Sequence, residues 1–225
     1  LVITIERNII KDNTGYGIHI NYNSHGITIR ENDVSSNDYG IWVYRSKSIW
    51  INENWIENNV NTGVRIHGTD ADKSRDIHIE NNVFGNGTNG QNTHIQIGQG
   101  QDCFVSDNYF NNGNLAIDLL ATSLRINVAQ SPQNNLATTL VSNLGTDNNF
   151  YGRGFENIGT ATNTTATTFV FNHSLAGTPT FVSASFNTTS IDAWTWTADA
   201  TQITITVTPA LTAPATCYWE AKYVP

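Results

Sequence analysis

Hydrophobic and polar positions alternate in short bursts along the first half of the chain, and the bursts recur in phase. Ile3-Thr4-Ile5, Ile27-Thr28-Ile29, Ile49-Trp50-Ile51, Ile77-His78-Ile79 and Cys103-Phe104-Val105 are each followed, three residues later, by an asparagine. Those asparagines, Asn8, Asn32, Asn54, Asn82 and Asn108, are spaced by 24, 22, 28 and 26 residues. Self-similarity of this period predicts a solenoid.

The copies agree further along. Two residues past the asparagine stands an apolar side chain (Ile10, Val34, Ile56, Phe84, Phe110), then a polar turn, then a second apolar-x-apolar run. That run is Ile18-His19-Ile20, Ile41-Trp42-Val43, Val64-Arg65-Ile66, Ile95-Gln96-Ile97 and Ile117-Asp118-Leu119, and in the first three copies a glycine (Gly17, Gly40, Gly63) precedes it. A period of two sends one set of side chains inward and the other outward, so each copy is predicted to be one coil of short strands. Stacked coils pair their strands in parallel about 4.8 Å apart, which piles the isoleucines into a continuous core. An asparagine at the same turn of every coil can bond its own backbone and the next side-chain amide, as stacked asparagines do.

The pattern I-x-I-x-x-N-x-I followed by G-I-x-I resembles the parallel β-helix repeat of the pectate-lyase-like superfamily. The resemblance covers roughly residues 1 to 119. It implies an all-β chain, a right-handed parallel β-helix, of a kind found in polysaccharide lyases, hydrolases, epimerases and phage tailspikes. The motif is specific for fold and weak for chemistry, because one fold hosts many activities.

Composition narrows the partners. The formal net charge is -8 and 13% of residues are charged, so the basic stripe that a nucleic-acid partner requires is missing. No apolar run approaches the ~20 residues that cross a bilayer, and no leader opens the chain; neither nucleic acid nor membrane is expected as a partner. Cys103 takes an inward position held by isoleucine elsewhere and reads as a small buried hydrophobe. With Cys217 it makes no disulfide framework or metal spacing. The sequons at Asn86, Asn163, Asn172 and Asn187 suit a surface protein but arise easily in a chain rich in asparagine and threonine. Leu1 and Val2 run straight into the first coil, and an uncapped solenoid end leads us to expect removed upstream residues or a capping partner chain.

Coil three is lengthened by Gly68 to Asp76 and coil four by Gly85 to Asn92, both bordering the second strand; long excursions from a rigid scaffold favour binding groups. After Leu119 the repeat degrades. Leu124-Arg125-Ile126 and Leu140-Val141-Ser142-Asn143 read as a sixth and an irregular seventh coil, or as a closing segment. We therefore expect a β-helix over 1–144, regular to 119 and irregular over 120–144, then a linker over 145–159 whose aromatics anchor on the last coil, and a third section over 160–225.

In that third section, alternating runs at Thr167 to Phe171, Thr180 to Phe186, Ala193 to Thr197, Gln202 to Val207 and Thr216 to Val224 predict strands separated by turn residues, which suggests a small antiparallel β-sandwich. The phrase His173-Ser174-Leu175-Ala176-Gly177-Thr178-Pro179, with Tyr218-Trp219-Glu220-Ala221, resembles a β module at the C-terminal end of phage tail and other surface β-helix proteins. That resemblance implies a closing or trimer-forming role.

Candidate chemistry follows the stacking. The outward residues of the second strand form a column of His19, Trp42, Arg65, Gln96 and Asp118, with Asn21, Tyr44 and His67 beside it. Aromatic faces pack on sugar rings while Arg, Asn and His bond hydroxyl or carboxylate groups; the alternative is a solvated cation–π surface. Glycoside hydrolysis uses two carboxylates about 5 to 9.5 Å apart, and this column offers Asp118 alone. β-Elimination or epimerisation of a uronic acid needs a cation against the carboxylate and a base near C5. Arg65, with His67 or Tyr44, has those types, so Arg65 and His67 are the catalytic candidates and His19, Trp42, Tyr44, Gln96 and Asp118 the substrate-binding ones.

A rival patch on the first strand holds Trp50, His78 and Phe104, with Asp76 and Asp102 as an acid/base pair, calcium ligands or turn caps. Asp70 and Asp72 make a weak calcium candidate, far short of an EF-hand, and no cofactor is required. His25, His94 and His173 read as solvated. The sequence thus supports a polysaccharide-binding β-helix of an extracellular, cell-surface or virion protein, a structural fibre or adhesin held as a homotrimer, or a lyase or epimerase in its own right.

Overall fold

A computed structural model describes residues 3–85, 91, 93–129, 134–135, 139–152, 155–163 and 167–225. Leu1, Val2, the sequon Asn86 and most of the coil-four insertion lie outside the described residues. The chain divides into two compact units, Leu1–Phe150 and Tyr151–Pro225.

The first unit is a solenoid of about six coils, and each regular coil contributes three strands to three parallel ladders. The first ladder stacks Ile3–Glu6, His25–Arg30, Lys47–Asn52, Ser74–Glu80, Phe104–Ser106, Asn127–Ala129 and Asn149–Tyr151. The second, built of strands of two or three residues, runs from Ile9–Lys11 through Asp33–Ser35, Trp55–Glu57, Val83–Gly85 and Tyr109–Asn111 to Asn134–Asn135. The third stacks Tyr16–Asn21, Tyr39–Tyr44, Thr62–His67, Thr93–Ile97, Leu115–Leu119 and Thr139–Asn143. Asn127–Ala129, Asn134–Asn135 and Thr139–Asn143 therefore belong to one sixth coil. Asn149–Tyr151 then adds a seventh rung to the first ladder.

The repeated isoleucines do what their phase requires. Ile29, Ile49, Ile51, Ile77 and Ile79 of the first ladder face Ile41, Ile66, Ile95 and Ile97 of the third, all fully buried, with Ile56, Phe84 and Phe110 closing the third side. Removing one such side chain from water is worth roughly 1.5–3 kcal/mol. Cys103 sits in the same wall, fully buried, and burial pushes its thiol up to about 12.

Two polar ladders close the turns. Asn8, Asn32, Asn54, Asn82 and Asn108 each pass a side-chain amide bond to the next at 3.1, 3.0, 2.9 and 3.0 Å. The same Nδ2 groups bond carbonyls of their own turn and of the adjacent coil, as Asn54 does to Asn52 and Ile29. A residue with positive φ precedes every one of these asparagines: Arg7, Glu31, Glu53, Asn81 and Asp107. A second ladder runs Asn13 to Asn37 to Asn59 to Gln91 at 2.7, 3.1 and 3.2 Å and ends on His94. His94 is wholly buried between Phe84 and Phe110; it is not the solvated side chain the sequence suggested, because Gln91 and the Asn112 carbonyl satisfy its two ring nitrogens.

The second unit contains two three-stranded antiparallel sheets. One orders Glu156–Asn163, Ala215–Lys222 and Phe181–Phe186; the other orders Thr168–Asn172, Gln202–Thr208 and Ala193–Ala198. Phe169, Val182, Ile203, Ile205, Val207, Cys217 and Trp219 form their shared core. His173 is also buried, with Nε2 against the Asp199 carbonyl at 3.0 Å and Nδ1 accepting from the Leu175 amide at 3.1 Å. The expectation of solvation is corrected there too: the residue pins the turn of the His173 to Pro179 phrase. Phe155 is fully buried and stacks on Tyr223 at 6.5 Å.

Candidate functional site

The register of the third ladder brings the candidate residues into line. His19 pairs with Trp42, Trp42 with Arg65, Arg65 with Gln96 and Gln96 with Asp118, while Asn21, Tyr44 and His67 form the adjoining column. Each is outward because its neighbours on either side, such as Ile41 and Val43, are committed to the core.

Contacts then divide the column. The Arg65 guanidinium carbon lies 4.4 Å from the Trp42 ring centroid, and His67 stacks on Tyr44 at 6.1 Å and meets Trp42 at 6.3 Å. His19 touches Trp42 at 6.4 Å. Gln96 instead donates to Asp118 at 3.0 Å, and Asp118 is two rungs, roughly 10 Å, from Arg65.

Three aromatic residues that the alternation rule does not mark complete the face. Tyr16 lies 4.8 Å and Tyr39 4.9 Å from Trp42, both edge-on, and Tyr22 meets Tyr44 at 5.7 Å. By parity with Ile18 and Ile41, Tyr16 and Tyr39 belong inside. Gly17 and Gly40 break the parity: a Cβ on Gly17 would stand 2.8 Å from the Gly40 carbonyl oxygen, and one on Gly40 would collide with the Gly63 carbonyl. Two consecutive positions thus face inward at this corner, and the tyrosines before them emerge on the outer face. The pair Tyr16 and Tyr39, one residue before the repeated glycine, is the signal that was available in the sequence.

Tyr16, His19, Asn21, Tyr22, Trp42 and Tyr44 line a shallow cleft of about 230 Å³. Beside it, Arg65 Nε is buried with no hydrogen-bond partner among the described residues. Burial, and next the Arg65 charge, hold His67 below the usual imidazole range, with the Gly68 backbone opposing. Burial lowers His19 as well. A neutral His67 next to a permanent cation has the states that base catalysis on an anionic substrate requires.

A family described as "Right handed beta helix region" matches residues 2–56, the stretch that holds the first two repeats and the start of the third. Taken with three unbroken parallel ladders, that decides the architecture. The first unit is a right-handed parallel β-helix. No curated protein matches the sequence of the chain. Among solved structures, a mutant tailspike of Escherichia coli bacteriophage HK620 is similar at 11% identity and a TM-score of 0.46, covering 99% of this chain and 59% of that one. Tailspike gp49 of Pseudomonas phage LKA1 is similar at 10% identity and 0.28, covering 98% and 66%. Tailspike gp49 of Acinetobacter baumannii phage Fri1, described as a capsular polysaccharide depolymerase, is similar at 8% and 0.41, covering 97% and 61%. The chain spans less than two-thirds of each of these tailspikes.

On its first ladder the β-helix carries the rival patch. His78 is stacked between Trp50, at 5.8 Å, and Phe104, at 4.8 Å, with Asp76 and Glu80 on its two ring nitrogens at 3.1 and 3.4 Å. Trp50, His78, Glu80 and Asn52 border a concavity of about 260 Å³. Asp76 and Asp102 are engaged separately. Asp76 accepts from Ser48 and meets His78, while Asp102 is clamped by Arg125 at 2.6 and 2.8 Å, a bond that holds its carboxyl below the usual range. Both have φ of 54°, Asp76 inside the strand Ser74–Glu80 and Asp102 in the bend before Phe104–Ser106. Asp72 is likewise bound to Arg45 at 2.9 Å. Among the described residues no group of three or more His, Cys, Asp or Glu is arranged to hold a metal ion.

Proposed function

We propose that the third-ladder face is a polysaccharide-binding surface, and that the protein works at the surface of a virion or cell where such chains are met. The observation that carries this is the cleft of four aromatic rings and two polar side chains, Tyr16, Tyr22, Trp42 and Tyr44 with His19 and Asn21. Apolar sugar faces pack on such rings, and the polar groups select among hydroxyls. Gln96 and Asp118 extend the surface by two rungs. In the finer reading, Arg65 neutralises a uronate carboxylate and neutral His67 takes the C5 proton, a lyase or epimerase chemistry.

Glycan-array binding of the intact chain and of Trp42→Ala tests the surface. Loss of every signal in the variant, with an unchanged thermal midpoint, is the expected result; full retention removes this face. For the chemistry, acidic polymers are incubated with the protein and followed for the absorbance of an unsaturated product and for solvent deuterium at C5. Neither signal from any polymer that binds would leave recognition without catalysis.

A specific observation also favours self-association. On the sheet of Glu156–Asn163, Phe181–Phe186 and Ala215–Lys222, Ile158, Phe181 and Tyr218 are 75%, 49% and 50% exposed, apolar area that a homotrimer would cover. Sedimentation equilibrium decides between a trimer and a monomer.

A further inference from the structure

The corner between the third and first ladders gathers cations at the end of the aromatic face. Arg45, Lys47, Lys73 and Arg75, four of the eleven lysines and arginines in a chain of net charge -8, line one concavity of about 150 Å³ together with Asn23, Ser46 and Asp72. The coil-three insertion supplies half of this wall. Its tight turn, in which Thr69 and Asp72 exchange backbone hydrogen bonds at 3.0 and 3.1 Å, sets Asp72 against Arg45 and places Lys73 behind it.

Asp72 answers only one of the four charges. Lys73 donates to the neutral Thr122 carbonyl at 3.1 Å. Lys47 and Arg75 are direct register partners in the first ladder, so two exposed cations stand one rung apart, and neither has an ion-pair partner among the described residues. Like charges directly opposite each other on paired strands are destabilising. An anion seated between them removes that cost.

The corner is continuous with the aromatic cleft. Arg45 lies 4.6 Å over Tyr22 and 6.0 Å from Tyr44, and both tyrosines line the cleft. A chain lying on Trp42 and Tyr44 and continuing past Tyr22 arrives at Arg45, Lys47 and Arg75. The concavity admits one acidic substituent and not a run of sugar rings. Arginine offers a planar fork to the two oxygens of a carboxylate, and lysine adds a point charge.

We propose that this corner is an anion subsite that takes the carboxylate of an acidic sugar in the polysaccharide seated on the aromatic face. The assignment rests on the polysaccharide reading for its physiological ligand, but the subsite can be measured without it. Sodium galacturonate, galactose and inorganic phosphate are titrated into the intact chain at low ionic strength, with NMR observation of the Asn23 side-chain amide and the Ser46 backbone amide, which line the concavity and are retained in every variant. The same titrations are run on Lys47→Gln/Arg75→Gln, two exposed positions whose replacement leaves the core untouched, and on Asp72→Asn, which frees Arg45.

The expected result is millimolar binding of galacturonate, no response to galactose, at least tenfold weaker binding in the double variant and several-fold tighter binding in Asp72→Asn. Equal responses to galacturonate and galactose, equal affinity for phosphate, or an unchanged constant in the double variant would each overturn the carboxylate assignment. If galacturonate titrates the corner while no polysaccharide binds the intact chain, the aromatic-face reading fails and the anion site stands. If polysaccharides bind through Trp42 and the corner stays silent, the reverse holds.

Discussion

Arg65 and Trp42, one rung apart on the third ladder, are in face contact, the guanidinium carbon 4.4 Å from the indole centroid. The contact holds a cation against a ring that lines the cleft. Lysine keeps the charge without the planar stack, so Arg65→Lys is expected to cost no more than about 1 kcal/mol of stability, within the range of exposed cation–π pairs. Its effect on glycan affinity should be larger, at least tenfold. Urea midpoints and calorimetric binding of the same glycan, measured on one preparation, separate the two.

The asparagine ladder makes a prediction that depends on position. Asn54 is buried and serves acceptors on its own coil and on both neighbours. Leaving such groups unpaired costs about 1–3 kcal/mol each, so Asn54→Ala should lower stability by several kcal/mol. Asn54→Asp should be no milder, since a carboxylate lacks the Nδ2 donor and faces carbonyl oxygens. Asn8→Ala, at an exposed position, should cost far less. Equal urea midpoints for Asn8→Ala and Asn54→Ala would show that the ladder is ornamental.

His94 gives the β-helix an acid-side weakness. Burial holds it at about 4 against an ordinary value of 6.5, with the Asn112 hydrogen bond opposing. A group whose folded value is depressed in this way binds its proton in the unfolded chain first. Stability is therefore full above about pH 6.5, falls as pH drops towards 4, and is level below; the whole loss is on the order of 3 kcal/mol. His67 and His19 are lowered in the same direction. His94→Gln should flatten most of the slope in urea midpoints taken between pH 7 and pH 4, and an unchanged slope would assign it elsewhere.

Gly40 is expected to be intolerant of any side chain. Its Cβ would collide with the Gly63 carbonyl oxygen and crowd Asn59 of the second ladder, whereas a Cβ on Gly15 would meet nothing within 4 Å. Gly40→Ala should reduce soluble yield or lower the thermal midpoint by several degrees, and Gly15→Ala should leave both unchanged.

Neither thiol should be reactive in the folded chain. Cys103 and Cys217 are buried and free, pushed up to about 12 and about 11 by burial, and the thiolate is the nucleophile. An aromatic disulfide reagent at pH 8 should label neither until denaturant is added. Rapid labelling of one cysteine would show that its wall opens.

The sequence by itself determined the coil, the phase of its asparagines, the inward set from Ile27 to Leu119 and the outward column from His19 to Asp118. These follow from side-chain alternation and turn chemistry, which act within a few residues of one another. Tertiary structure decided which outward groups meet. Tyr16 and Tyr39 reach Trp42 because Gly17 and Gly40 turn the chain between stacked coils, and His94 is buried because Gln91 stands where an asparagine of the second ladder is due. Lys47 and Arg75 face each other because the coil-three insertion shifts no register in the first ladder. Each of these contacts joins residues of different coils or depends on a corner whose rotation is fixed by the coil beneath it, and a strand pattern read one coil at a time does not contain that information.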